Sequence, residues 1–236
     1  MDTNGSTKRG DRSRIPVAYL ILGYENNRQA IIEFFRNAKK TTNWVTDAIE
    51  PAVSEGIEWL NKEIFDAGKR GVKIKQITDI TNEKLQICKR RMTRIDELRH
   101  LGGIGVVFGF SDVEFIAMVS SFAPREDIKR IQFIQSDSES VVGYKQSCFD
   151  LLWDRATPAR SRINELEGKI AGTTTAGHAK AIIDRIYVCE ACRLTFVYSN
   201  EVEEHEKTTD HKNFREYPIV LLRAYPSNVD SLAAIV

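Results

Sequence analysis

Apolar positions recur at two spacings along this 236-residue chain, and the alternation between them predicts strands interleaved with helices. PVAYLILGY (16–24) is short, apolar and rich in β-forming residues, which predicts a buried strand. In NRQAIIEFFRNAKK, Ile31, Ile32, Phe34 and Phe35 form a broad helical stripe, and TNWVTDA then predicts a strand. SEGIEWLNKEIFDAGKRG reads as one helix, with Ile57, Leu60, Ile64 and Phe65 on one side and Gly71 at its end. VKIKQITDI begins by alternating, Val72 and Ile74 inward and lysines outward. From Thr81 to Leu101, residues Leu85, Cys88, Met92, Ile95 and Leu98 repeat at helical spacing, predicting a long helix stopped by Gly102 and Gly103. GIGVVFGF and VEFIAMVSS, parted by Ser111 and Asp112, predict a hairpin, and RIQFIQS predicts a further strand. FDLLWDRA closes the series as a helix, with Pro158 opening or interrupting the stretch that ends in ARSRINELEGK. The expected fold class is α/β, a sandwich whose sheet is covered by helices.

Composition adds little to that picture but excludes several functions. With 42% hydrophobic and 28% charged residues and a formal net charge of +1, a global polyanion-binding surface is not expected. No apolar run approaches the roughly 18 residues that span a bilayer, so the expectation is a soluble cytoplasmic protein with no membrane partner. Residues 1–14 read as a disordered polar tail, and the small, polar AGTTTAGHA places a linker at 171–184. The larger domain is then 15–170, and YPIVLLRAY opens a C-terminal arm at 217–236 that can dock on it or pair two copies into a homodimer. Cys88 on the apolar stripe and Cys148 beside Phe149 read as buried, inert thiols, and Trp44, Trp59 and Trp153 as core residues. His100 reads as a cation at a helix C-terminus.

Between linker and arm, Cys189, Cys192, His205 and His211 stand at C-x2-C-x12-H-x5-H. Two thiolates and two neutral imidazoles saturate a tetrahedral Zn2+ and leave no open position, so the site folds a module and activates no substrate. Tyr187 and Val188 open a strand, Arg193 and Leu194 turn, and Ser199 or Asn200 caps a helix carrying His205, with Phe196 and Val202 as a small core. Residues 185–216 thus resemble the C2H2 zinc-finger family, as a ββα unit with a wide histidine gap like that of fingers in double-stranded-RNA and spliceosomal proteins. The positions that read bases in DNA-binding relatives correspond to Tyr198, Glu201 and Glu204. Five bases face seven acids between Arg185 and Glu216, so weak duplex binding is expected and a protein contact is as reasonable as a nucleic-acid one.

Three stretches of the larger domain, Arg70 to Thr81, Asp96 to Ala117 and Cys148 to Lys169, resemble the sensory region ahead of the kinase core in histidine kinases of ammonia-oxidising archaea. That resemblance spans roughly Tyr19 to Gly168. It implies a phospholipase-D-like mixed sheet, used in archaeal regulators to sense a small ligand. Phospholipase-type catalysis needs H-x-K-x4-D, usually twice. The nearest approach is His178, Lys180 and Asp184, where the aspartate comes one residue early, so no enzyme activity is expected. Taken together, the chain reads as a signal-transducing regulatory protein, a sensor-like domain of unknown ligand joined to one zinc finger that contacts a protein or nucleic acid. The alternative is a protein that binds structured RNA or DNA with the finger plus a basic helix over 84–99, carrying Lys84, Lys89, Arg90, Arg91, Arg94 and Arg99.

Overall fold

A computed structural model describes the chain over residues 18–119, 132–168 and 183–219. The predicted tail, nearly all of the linker including His178 and Lys180, and the arm beyond Ile219 lie outside the described residues. Strand β1 (Ala18–Ile21), helix α1 (Tyr24–Asn37) and strand β2 (Thr41–Thr46) lead to α2 (Glu50–Glu55), α3 (Glu58–Lys69) and β3 (Lys73–Thr78). A 3-10 turn (Asn82–Lys84) precedes α4 (Leu85–Arg91), β4 (Glu97–His100), β5 (Phe108–Ser111), β6 (Phe115–Val119) and β7 (Gln132–Ser136). Then come α5 (Glu139–Arg155), β8 (Thr157–Pro158) and α6 (Ala159–Leu166). Among the described residues these strands form one mixed sheet in the order β1-β7-β6-β5-β2-β3-β4-β8. β2, β3 and β4 are parallel because helices connect them, whereas the tight β5–β6 connection returns antiparallel.

Each face of the sheet has its own core, as expected for an α/β sheet covered by helices. On one face α1 buries Ala30, Phe34 and Phe35, and α3 buries Leu60, Glu63, Ile64 and Ala67, the one-sided spacing of amphipathic helices. Glu63 is tolerated there because Arg36 clamps it with Nε at 3.1 Å and Nη2 at 2.8 Å. On the other face α5 lays Cys148, Phe149 and Leu152 against Val45, Ile77, Phe108 and Phe110. No helix among the described residues is long and apolar enough to cross a membrane.

Four expectations are corrected. β1 is not buried: it lies at the end of the sheet order, with Tyr19 and Leu20 about half exposed. The single helix expected over 54–71 is two, broken at Gly56, where the Asn61 amide donates to the carbonyls of Glu55 and Ile57, both at 3.0 Å. Phe65 consequently faces solvent, under the Lys69 ammonium at 4.5 Å.

The long basic helix at 84–99 does not form. α4 stops at Arg91 and Leu98 enters strand β4 beside β3, because the Asp96 carboxylate accepts from the Ile74 amide at 2.9 Å and starts a new ladder that overrides the helical stripe. Its bases are also engaged: Lys89 meets Glu167, Arg90 and Arg94 share Glu55, Arg91 is buried, and Arg99 reaches the Trp153 carbonyl. His100 caps no helix. It ends β4, and its Nδ1 accepts from the Ile80 amide at 3.0 Å, which requires the neutral ring. Burial lowers its pKa, outweighing the Asp79 carboxylate at 3.8 Å.

Candidate metal centre

Residues 185–218 build a separate three-stranded sheet with one helix. β9 (Arg185–Cys189) pairs antiparallel with both β10 (Thr195–Phe196) and β11 (Phe214–Pro218), and α7 (Ser199–Thr209) crosses between them. The β9–β10 turn places Arg193 at φ 64°, and the tight return carries Cys189 and Cys192 on the same side. The cap of α7 is Tyr198 rather than Ser199 or Asn200, because the Glu201 carboxylate reaches back to the amides of Val197 and Tyr198 at 3.2 and 3.3 Å. It ends at Asp210, whose left-handed φ of 57° turns the chain so that His211 points back towards His205.

The four predicted ligand side chains converge, with one donor atom from each within 4.8 Å of the others. Cys189 Sγ lies 3.6 Å from His211 Nδ1, Cys192 Sγ 3.4 Å from His205 Nε2, and the two ring nitrogens 3.3 Å apart. Zinc–sulfur and zinc–nitrogen bonds of about 2.3 and 2.05 Å at tetrahedral angles give edges of about 3.6 Å for S···N and about 3.3 Å for N···N. Three of the six donor separations therefore match the edges of such a tetrahedron, and all six lie within 4.8 Å.

The histidines present different nitrogens. His205, on the helix, offers Nε2, whereas His211, past its end, offers Nδ1. Burial raises the Cys189 thiol, but backbone amides of Cys192 and Ala191 donating to its sulfur bring it below the usual thiol range, which favours the ligating thiolate. Phe196 and Phe214 pack on the His205 ring at 5.0 and 5.8 Å and exclude water from one side, while Cys192 is exposed on the other. Phe214 was not singled out by the sequence, and FREYP after His211, with its rings three residues apart at 214 and 217, shows no strand alternation.

This unit is docked on the α5 face of the large sheet. Val197, Tyr198, Ile186 and Ile219 belong to the same core as Phe108 and Leu152. Tyr198 Oη donates to the Gly102 carbonyl at 3.2 Å, and Arg155 bridges Glu201 at 2.6 Å and the Thr195 carbonyl at 3.1 Å. Two of the three positions that correspond to base-reading ones, Tyr198 and Glu201, are thus spent on the chain itself. Asp184, the acid of the HAKAIID segment, pairs with Arg185 at 2.9 Å.

No known protein family matches the sequence, and no curated protein matches it. Among solved structures the chain is similar to TrmBL2, an archaeal chromatin protein with a novel mode of DNA binding, at 18% identity and a TM-score of 0.47. That match covers 62% of this chain and 55% of the other, so the chain spans about half the length of the chromatin protein. It is also similar to Nuc from Salmonella typhimurium, a phospholipase D family member, at 14% identity over 61% of this chain and 98% of that one, with a TM-score of 0.48. NucT from Helicobacter pylori matches at 10% identity over 61% and 99%, with a TM-score of 0.46.

Proposed function

We propose that Cys189, Cys192, His205 and His211 hold one structural Zn2+, and that the zinc-held finger is the partner-contacting part of a regulatory protein. The observation that carries the metal reading is the agreement of the donor separations, 3.6, 3.4 and 3.3 Å, with the edges of a zinc tetrahedron. With four protein donors the ion has no site for substrate or water, so its role is to fix α7 against the β9–β10 hairpin.

The partner we favour is a protein with a basic contact surface. Glu203, Glu204 and Asp210 are exposed on α7 and its cap, whereas Tyr198 and Glu201 are engaged with the large sheet. With exposed Lys207 and with Lys212 paired to Asp210 at 2.8 Å as the bases beside them, this face stays acidic on balance and supplies little of the counterion release on which duplex binding depends.

Metal analysis of the purified full chain tests the first part: one zinc per chain is expected near neutral pH, and none in Cys192→Ser. Substitution by Co2+ should give the visible absorption of a tetrahedral thiolate site. The partner reading is tested by titrating the chain with duplex DNA and duplex RNA at rising salt. Nanomolar binding that falls steeply with salt would overturn it in favour of nucleic acid.

A further inference from the structure

The helical face opposite the finger contains a cavity of about 90 Å³, set between α1, α2, α3 and α4 and the carboxyl end of β2. Its walls are apolar, with Phe35, Ile64, Ile74 and Phe133 among them. Four side-chain donors of residues lining this region are buried without a protein partner among the described residues: Nε1 of Trp44 and Trp59 and Nε of Arg28 and Arg91. Arg91 is the decisive one. It is only 4% exposed, its one side-chain hydrogen bond runs from Nη2 to the Ser54 hydroxyl, and no carboxylate among the described residues pairs with it. A guanidinium buried without a counter-charge is costly, so such a group is retained where something else supplies the charge.

The acids near the cavity do not fill that need. Asp47 Oδ1 accepts from the amides of Ile49 and Glu50 at 3.0 and 2.9 Å, and Glu50 accepts from Gln76 Nε2 at 3.3 Å. Four donors are left over, and these two carboxylates are engaged elsewhere. The matching occupant carries acceptor oxygens and a negative charge at one end and an apolar body at the other. An apolar cavity of 150 Å³ takes a benzene ring, so about 90 Å³ suits a body of a few carbon atoms.

We propose that this cavity binds a small organic carboxylate, its oxygens taken by Arg91 and the indole N–H groups of Trp44 and Trp59, its carbon body against Phe35, Ile64 and Ile74. Inorganic phosphate is the wrong occupant, because its remaining oxygens would face those apolar walls unpaired. The site does not depend on the metal centre, which packs on the other face of the sheet.

The test uses the zinc-loaded full chain, with calorimetry and ligand-observed NMR against butyrate, benzoate, their amides and inorganic phosphate. Saturable binding of at least one carboxylate is expected, about tenfold or more tighter than its amide, with no binding of phosphate. Arg91→Met should weaken the carboxylate by about tenfold or more without changing zinc content. Equal affinity for acid and amide, no saturable carboxylate binding up to about 10 mM, or full affinity in Arg91→Met would each overturn the proposal. If Arg91→Met does not fold, Trp59→Phe decides the matter, since it keeps the ring and removes one donor. An unchanged carboxylate affinity in that variant overturns the proposal as well.

Discussion

At the scale of single residues, two positions carry consequences that their neighbours dictate. Gly109 on β5 sits beneath Trp44, and a Cβ there would come within 2.7 Å of the indole ring. The indole cannot retreat, since Phe35 stacks on it at 5.6 Å and Phe34 meets it edge-on at 5.1 Å. Gly109→Ala should therefore cost about 1–3 kcal/mol, read as a lower urea midpoint at unchanged slope. Lys145 on α5 is fully buried, donates to the Ile219 carbonyl and lies 4.8 Å over the Phe115 ring, and burial brings its pKa down to about 8. Between that value and the ordinary value of about 10.4, the unfolded chain keeps a proton that the folded chain has lost, so stability rises with pH in this window. Taken as the difference between the chain and Lys145→Met, the rise from pH 8 to 9 should be about 1 kcal/mol. The unfolded thiols of Cys88 and Cys148 ionise at about pH 8.5, while burial pushes the folded Cys88 up to about 11 and raises Cys148, so they act in the opposite sense through this same window and cancel only in that difference.

At the scale of elements, what could be read in the sequence was what is local. The stripe of Ile31, Phe34 and Phe35 makes α1, the alternation at Val72 and Ile74 leads into β3, and the cysteine–histidine spacing brings four ligand atoms together. What could not be read depends on a distant partner. Leu85, Cys88 and Met92 keep their helical stripe, but Leu98 at the same spacing joins β4, because β3 offers an unfilled ladder and Asp96 closes onto Ile74. β11 was hidden for the same reason: Phe214 to Pro218 pairs with β9, and its partnership shows only once the hairpin exists. Docking of the finger is likewise a contact between distant elements, made by Arg155 of α5 with Glu201 and the Thr195 carbonyl. Arg155→Ala should cost about 1–2 kcal/mol and speed hydrogen exchange along α7 and β10, with zinc content unchanged. Loss of zinc in that variant would show that docking, and not the ligand set, holds the metal site together.

At the scale of the whole molecule, the two faces of the sheet divide the work, and the metal centre bears on the stability of both. The finger has little core of its own beyond Phe196, His205 and Phe214. Its apolar residues Ile186, Val197 and Tyr198, with Ile183 and Ile219 flanking it, instead complete the core over Phe108 and Leu152. From the sequence alone, the larger domain is expected to survive loss of the finger unharmed; the shared core changes that expectation. If the proposed zinc orders β9, β10 and α7, its removal takes that constraint away and the α5 face gives up part of its cover. On the proposed zinc site, metal binds the folded chain in preference to the unfolded one, so free zinc should raise the midpoint of the main unfolding transition by mass action. If the lost cover is worth about 2–3 kcal/mol, a domain of this size should melt roughly 5–10 °C lower after chelation, in one transition rather than two. Calorimetry with and without chelator distinguishes the cases. A sheet transition that stays at the same temperature while a second, small transition vanishes would mean that the finger is an independent module resting on the sheet; a single transition that moves with zinc means that metal and sheet share one cooperative unit.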